Sequence, residues 1–363
     1  MQEIHISGNE AGQRLDKLLG KFLSDAPKSF LYKMMRKKNI TLNGKKAEGS
    51  EKLKEGDRVK LFLADETIAK FSGSANGVFG HVGKESGGEN VGQSDMQSSQ
   101  EQKAHQAAYR EAKKQIPEIL YEDENILLFN KQSGLLSQKA KPSDVSAVDC
   151  LIVHLLETGA LTPEMLRTFR PSVCNRLDRN TSGILAAGKS LAGLQQLSLF
   201  FKERSIEKYY LCPVIGQVER GERISGYLQK NSKTNHVQVQ DVSEEKSARI
   251  ETEYRPVSGN GKLTLLEVHL ITGKTHQIRA HLASIGHPLL GDYKYGNRGI
   301  NERYKKQYGV ESQLLHAYRL RMPTTDGVLK NVSGREFKAP LPDLFARICK
   351  EERLELPGIL EMR

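Results

Sequence analysis

The chain has 363 residues, 37% of them hydrophobic, which is enough for one substantial core and a smaller accessory domain. No stretch approaches the long uncharged apolar run needed to cross a bilayer. Lys and Arg outnumber Asp and Glu by 55 to 44, a formal net charge of +11, and such an excess points to a polyanionic partner because each phosphate contact releases counterions.

The opening MQEIHISGNE lacks the basic and then apolar pattern of a secretion signal, so a cytoplasmic location is expected. The four cysteines, Cys150, Cys174, Cys212 and Cys349, lie far apart and form no CxxC pair. Reduced, mostly buried thiols are expected in preference to a zinc site or a disulfide framework.

Residues 1–64 form the first block. Leu15, Leu18, Leu19, Phe22 and Leu23 recur at helical spacing, and Leu31, Met34 and Met35 repeat the pattern. Pro27 and Ser29 sit between the two runs, where a break and an N-cap are expected. ITLNGKKA reads as a short strand with a turn at Asn43-Gly44, and GDRVKLFL as an alternating second strand. The block carries fourteen Lys and Arg against eight Asp and Glu, a net of +6, so about half the net charge lies in the first sixth of the chain. Lys33, Arg36, Lys37 and Lys38 crowd the end of the second helix, and Lys45 and Lys46 follow the turn. A helix end and adjacent loop with this many cations make a phosphate-reading surface; the bland alternative is a solvated charged face. The block resembles an S4 RNA-binding domain over nearly its full length. That resemblance implies RNA binding and no particular reaction, because S4 domains occur in proteins of many activities.

Residues 71–107 are rich in Gly, Ser, Gln and Asn with little to bury, the composition of a flexible tether. AHQAAYREAKKQ reads as a short basic helix at its end. From about Ile116 a larger folded domain is expected. EILYEDENILLFNKQSGLL reads as two strands about an acidic turn, AVDCLIVHLLETG as a helix, ILAAGKS as a strand and LAGLQQLSLFFKERS as a helix. EKYYLCPVIGQV, ARIETEYRPV and KLTLLEVHLI read as strands, the last two antiparallel neighbours, and KTHQIRAHLASIG as a helix. Strands outnumber helices without strict alternation, which predicts an α+β fold with a mixed, largely antiparallel sheet and flanking helices. No GxGxxG or GxxxxGK[ST] motif is present, so no nucleotide cofactor is expected. The expected partition is an RNA-binding unit over 1–64, a linker over 65–115, a catalytic domain over 116–345 and a charged C-terminal tail over 346–363.

The segment from Val173 to Gly183, VCNRLDRNTSG, sets Asp178 between Arg176 and Arg179, ahead of a Thr-Ser-Gly turn into a strand. A carboxylate close to guanidinium groups and turn N–H donors is held ionised, and so suits work as a nucleophile or base. For a bare Arg-Leu-Asp tripeptide a surface salt bridge is the commoner outcome. Further on, Ile278, Leu282 and Ile285 recur at helical spacing and are expected to face the core. Arg279 then stands at the edge of that face, and Gly286 and Pro288 close the helix. His276 and His281 diverge on this helix without acidic or Cys partners nearby, so no metal site is expected.

RLDRNTSG resembles the signature loop HRLDxxTSG of the RluA, RluC and RluD type of pseudouridine synthase. EKYYLCPVIG is similar to that family's KxYxAxVxG strand, with Tyr210 at the tyrosine, and LITGKTHQIRAH to its LxTGRxHQIRxH motif, with Arg279 at the arginine. GHPLLGDYKYG and LLHAYRL also fit, so that the resemblance covers essentially all of residues 116–345. The sequence departs from the pattern at Asn175, where His is usual, at Gln132, where Pro is usual, and at Cys212, where Ala is typical.

The resemblance implies a metal-free, cofactor-free isomerase that turns uridine into pseudouridine in structured RNA. Asp178 is the implied essential carboxylate, acting at the sugar or at C6 of the base of a nucleotide taken out of the stack. Tyr210 offers an aromatic face and a hydroxyl for proton transfer, and Arg279 pairs with and orients Asp178. Arg176, Arg179 and Lys274 are expected to serve phosphate contacts or loop structure. Family members with an S4 domain point to large-subunit (23S) ribosomal RNA, or a large-subunit assembly intermediate, as the partner of a monomer. Transfer RNA as substrate, or a non-catalytic RNA-binding role in ribosome assembly, are the alternatives.

Overall fold

The computed structural model describes residues 1–72, 93–230, 237–240, 242–243 and 247–357. The N-terminal unit contains β1 (Gln2–His5), α1 (Leu15–Phe22), α2 (Lys28–Arg36), β2 (Ile40–Leu42), β3 (Lys45–Lys46), β4 (Arg58–Leu61) and α3 (Asp65–Phe71). Its antiparallel sheet runs β1-β4-β2-β3. The apolar stripe read from the sequence is its core: Leu15, Leu18, Leu19 and Leu23 are fully buried, with Phe22, Leu31, Met34 and Met35 beside them. Each such side chain contributes about 1.5–3 kcal/mol by leaving water. Asn43 (φ 50) and Gly44 (φ 74) turn the β2–β3 hairpin with both residues left-handed, as a two-residue turn demands. Ser29 does not cap α2: the helix already begins at Lys28, with Pro27 at its N-cap position, because proline's fixed φ suits a helix start.

The expected tether is shorter than composition suggested. α3 lies inside it and packs Ile68 and Phe71 onto the N-terminal core. α4 (Gln93–Lys114) begins well before the short basic helix expected there and lies against α5. Residues 73–92, the rest of the Gly- and Ser-rich stretch, lie outside the described residues. The two units also touch. The Thr168 hydroxyl donates to Glu10 Oε1 at 2.6 Å, Gln13 Nε2 reaches Thr168 O at 3.5 Å, and the Arg167 guanidinium lies 4.1 Å above the Phe22 ring.

The larger unit contains β5 (Glu118–Glu122), β6 (Ile126–Lys131), α5 (Ala147–Glu157), β7 (Ser172–Val173), β8 (Ser182–Gly188), α6 (Leu191–Glu203), β9 (Glu207–Ile215), β10 (Glu222–Lys230), β11 (Val237–Gln240), β12 (Ala248–Gly259), β13 (Leu263–Leu270), α7 (Gln277–Ser284), α8 (Arg298–Tyr308), β14 (His316–Arg321), β15 (Glu336–Lys338) and α9 (Asp343–Glu351). One sheet of eleven strands runs β11-β10-β12-β13-β9-β14-β8-β6-β5, with β15 on β14 and β7 on β8. Among the described pairings between these strands only β14 with β8 is parallel, so the mixed, largely antiparallel sheet is as expected. The described part of the expected C-terminal tail, to residue 357, packs onto the domain: α9 buries Phe345, Ile348 and Cys349 in the core, and Leu354 follows them; residues 358–363 lie outside the described residues. No helix among the described residues is long and apolar enough to cross a membrane.

β9 is pleated through the middle of this sheet, so its side chains alternate between two packed faces. Tyr210, Cys212 and Val214 join the core on one face; Leu211 and Ile215 join a different cluster on the other. Where β8 meets β14 the backbones approach closely. Gly183 has φ 108, and a Cβ there would collide with the Ala317 backbone. This Thr-Ser-Gly glycine therefore lets the Asp178 loop enter the sheet at its parallel seam.

Candidate active site

The loop that carries Asp178 is tied down residue by residue. Asn175 Oδ1 accepts the Ala186 N–H at 2.8 Å and Asn175 Nδ2 donates to Ile184 O at 3.3 Å, fixing the start of the loop to β8. Ser137 Oγ accepts the Leu177 N–H at 3.0 Å and donates to Leu177 O at 2.8 Å. Lys131, fully buried at the end of β6, donates from Nζ to the carbonyls of Arg179, Gln132 and Leu135 at 2.8–2.9 Å. Burial pushes this ammonium down to about 7, with the Asp178 charge opposing the shift. Three backbone carbonyls, that of Leu135 buried, thus share one donor, and the buried ammonium is satisfied in turn.

Facing this loop is α7. Ile278 and Leu282 are buried as expected, whereas Ile285 lies at the helix end and is 36% exposed. Arg279 is itself nearly buried. Its Nε donates to Asp292 Oδ2 at 2.7 Å and its Nη2 to Asp292 Oδ1 at 2.9 Å, leaving Nη1 for Asp178 Oδ2 at 3.3 Å. Asp292 is fully buried and also accepts the N–H groups of Lys294 and Tyr295 at 2.9 and 3.1 Å. Burial works against both charges. The paired hydrogen bonds outweigh it, holding Asp292 below the usual carboxylate range and Arg279 above its ordinary value. This two-point fork is the geometry in which arginine is strongest.

The pairing of Asp178 with Arg279 that the resemblance implies is present, whereas the expectation that the carboxylate is held by its sequence neighbours is corrected. Among the described residues Asp178 has ion pairs with Arg279 and, if protonated, His276, and none with Arg176 or Arg179. Arg176 and Arg179 are both exposed, and the Arg179 carbonyl, not its guanidinium, ties it to the site. In a loop pinned by its own backbone, adjacent side chains turn outward.

Asp178, Tyr210 and Arg279 meet in one cleft with Arg176, Leu177, Lys274 and His276. Tyr210 is 5% exposed; burial and then the Asp178 charge raise its hydroxyl far above the ordinary tyrosine value, so it stays a neutral phenol. Lys274 is exposed at the same cleft. The expected cations of the N-terminal unit, Lys33, Arg36, Lys37, Lys38, Lys45 and Lys46, are not part of it. All six are exposed, and none is in a salt bridge among the described residues. No described group of His, Cys, Asp and Glu is placed to hold a metal ion.

Sequence reasoning missed Asp292, Tyr295 and Lys131, and considered His276 only as a metal ligand. Asp292 and Tyr295 lie in GDYKYG, a segment that already fitted the family pattern, so a signal was there. The signal for Lys131 is a charge two residues beyond a fully buried apolar run, Ile126 to Phe129, on the same strand.

Residues 125–284 match the RNA pseudouridylate synthase family. The chain is 30% identical over 336 residues to ribosomal large subunit pseudouridine synthase C of Pasteurella multocida (strain Pm70), covering 90% of this chain and 87% of that one. It is 28% identical to the protein of that name from Vibrio vulnificus (strain CMCP6), covering 97% of each. In fold it is similar to human RNA pseudouridylate synthase domain containing 4, with a TM-score of 0.56 and 22% identity over 70% of this chain and all of that one.

Proposed function

This chain belongs to the RNA pseudouridylate synthase family, and on that premise we propose that it isomerises uridine to pseudouridine in large-subunit ribosomal RNA, with Asp178 as the reacting carboxylate. The reaction breaks the N1–C1′ bond, turns the base and joins C1′ to C5; C5 gives up a proton and N1 gains one. Atoms and electrons balance within the nucleotide, so the work is positioning, charge stabilisation and proton transfer.

The observation that carries this reading is the line Asp292–Arg279–Asp178 at a cleft shared with Tyr210. Arg279 is locked on Asp292, and its remaining Nη1 orients the Asp178 carboxylate. The uridine is taken out of its stack to reach that carboxylate, and the Tyr210 ring offers a face for the extruded base. Its neutral hydroxyl is available to move a proton at the base. Arg176 and Lys274 at the cleft suit the displaced phosphates.

The N-terminal unit is the second RNA contact in this reading. Its exposed cations lie on and beside α2 and the β2–β3 hairpin, which supports an S4-like role in reading phosphates. The names of the relatives support ribosomal RNA over transfer RNA. The test maps pseudouridines in cellular RNA by carbodiimide-dependent reverse-transcription stops, with and without the gene. Loss of large-subunit sites, restored by wild type and not by Asp178→Asn, is expected. Loss confined to transfer RNA overturns the substrate, and an unchanged map overturns the activity.

A further inference from the structure

The cleft holds a ring that the proposed reaction leaves unused. His276 precedes α7 with φ 55 and ψ 17, in the left-handed region. That conformation is strained for a non-glycine residue and persists only where its surroundings over-determine it. The surroundings here are specific. His276 Nδ1 lies 2.9 Å from the Tyr295 hydroxyl, and that oxygen accepts the Val237 N–H at 3.1 Å. Tyr295 also sets its ring edge-on to the imidazole and against Arg279, 5.2 Å from the guanidinium. With that oxygen already accepting a backbone N–H, the Tyr295 proton suits Nδ1 as its acceptor, the arrangement in which the imidazole proton sits on Nε2.

His276 Nε2 faces Asp178 Oδ2 at 3.8 Å. This is the oxygen that Arg279 Nη1 bonds at 3.3 Å. Among the described residues no hydrogen bond or ion pair goes to Oδ1. We propose that His276, fixed through Tyr295, is a positioning residue for Asp178: its Nε2 stands against Oδ2 at 3.8 Å, beyond hydrogen-bond reach, on the side that Arg279 already bonds, and so leaves Oδ1 as the oxygen turned to the uridine. This rests on Asp178 being the reacting carboxylate.

The ring must stay singly protonated for that task. A second proton on Nδ1 removes the acceptor for the Tyr295 hydroxyl and sets a full positive charge against the carboxylate. Burial disfavours that proton most, and Arg279 and Lys294 add to it; Asp178 and Asp292 oppose them, and the balance lies below the ordinary histidine value. The imidazole is therefore neutral at neutral pH, and acidification is what dulls the site.

The test uses the full-length protein in single-turnover assays at saturating enzyme, on a ribosomal RNA fragment that the wild type modifies, across pH. His276→Ala is expected to lose about tenfold or more in rate, as displaced catalytic groups do, while its RNA affinity stays within about twofold. His276→Gln keeps a donor without a titrating ring, so it recovers most of the rate at neutral pH and falls less on acidification than wild type. Tyr295→Phe keeps the ring beside Arg279 but withdraws the proton from Nδ1, so its loss of rate on acidification moves to higher pH. Wild-type rate in His276→Ala overturns the proposal. So does His276→Gln no better than His276→Ala at every pH, the mark of a purely structural ring. If His276→Ala fails to fold, a Tyr295→Phe profile that superimposes on wild type overturns it in turn. Wild-type turnover and its loss in Asp178→Asn report on the proposed function separately; only the ratios of these variants to wild type report on His276.

Discussion

Arg279 gives two of its nitrogens to Asp292, at 2.7 and 2.9 Å, and one to Asp178, at 3.3 Å. The arginine is thus a fixed part of the cleft wall before any nucleotide arrives. Its bond to the candidate reacting carboxylate is the longest of the three. Such preorganisation lets Asp178 change partners during a reaction while its orienting charge stays in place.

Asp292→Ala should therefore be the most damaging change at this site. Removing one member of a buried ion pair costs about 3–5 kcal/mol because the other charge is stranded, and thermal melting measures the loss. Asp292→Asn keeps the shape and should fold, yet bind Arg279 more loosely and turn over more slowly. The sign with pH follows from the depressed carboxylate. Its contribution is complete above the unfolded value near 4 and is lost as pH falls through the lower folded value. Stability of Asp292→Asn should vary less than wild type as pH falls below about 4.

Asp178→Asn should keep the fold, because Arg279 retains both bonds to Asp292. Product formation should fall by about a thousandfold or more, with RNA affinity little changed. A filter-binding titration beside a pseudouridine assay separates the two quantities. Substantial residual turnover sinks the assignment of the carboxylate.

Lys131→Met tests what holds the loop from beneath. It leaves three carbonyls, one of them buried, without their ammonium donor, at about 1–3 kcal/mol for a buried one that finds no substitute. The Asp178 loop should loosen, read as faster amide exchange at residues 177–181. Burial brings the folded value of this lysine down to about 7, against an unfolded value of about 10.4. Between these values the unfolded chain binds more protons, so wild-type stability gains from rising pH there. That gain should be missing in Lys131→Met.

The N-terminal cations should govern affinity and its salt dependence, not the chemical step. Replacing Lys37, Lys38, Lys45 and Lys46 with Ser should lower the slope of log affinity against log salt by about 0.7–0.9 for each phosphate no longer neutralised. The rate at saturating enzyme should be unchanged. A deletion meant to remove the whole unit must run to residue 72, since Ile68 and Phe71 pack onto its core. An unchanged slope argues against a phosphate-reading role for these residues.

Much of the fold was legible in the sequence because periodicity is a local property. Leu15, Leu18 and Leu19 mark one face of a helix wherever that helix ends up, and Asn43-Gly44 turns a hairpin by its own backbone. The Asp178, Tyr210 and Arg279 motifs were equally plain, since each is a short run on one element. Local signals failed at element ends and edges. β1 is absent from the sequence reading, Ser29 is not the cap that its position suggests, and Ile285 is not core. The first residues of the expected tail are not one either, because α9 packs into the interior. The Asp178–Arg279 pair was expected through the family resemblance alone; the residues around Asp178 pointed to its neighbours, and the tertiary structure decided between them. Asp178 has an arginine two residues before it and another one residue after it, yet it pairs with one 101 positions away. That arginine is itself held by Asp292, and His276 is turned to the carboxylate by Tyr295. A loop pinned through its own backbone sends adjacent side chains outward, whereas the sheet and α7 bring distant ones together away from water. In that setting pairing is obligatory, because a buried charge without a partner is too costly to keep.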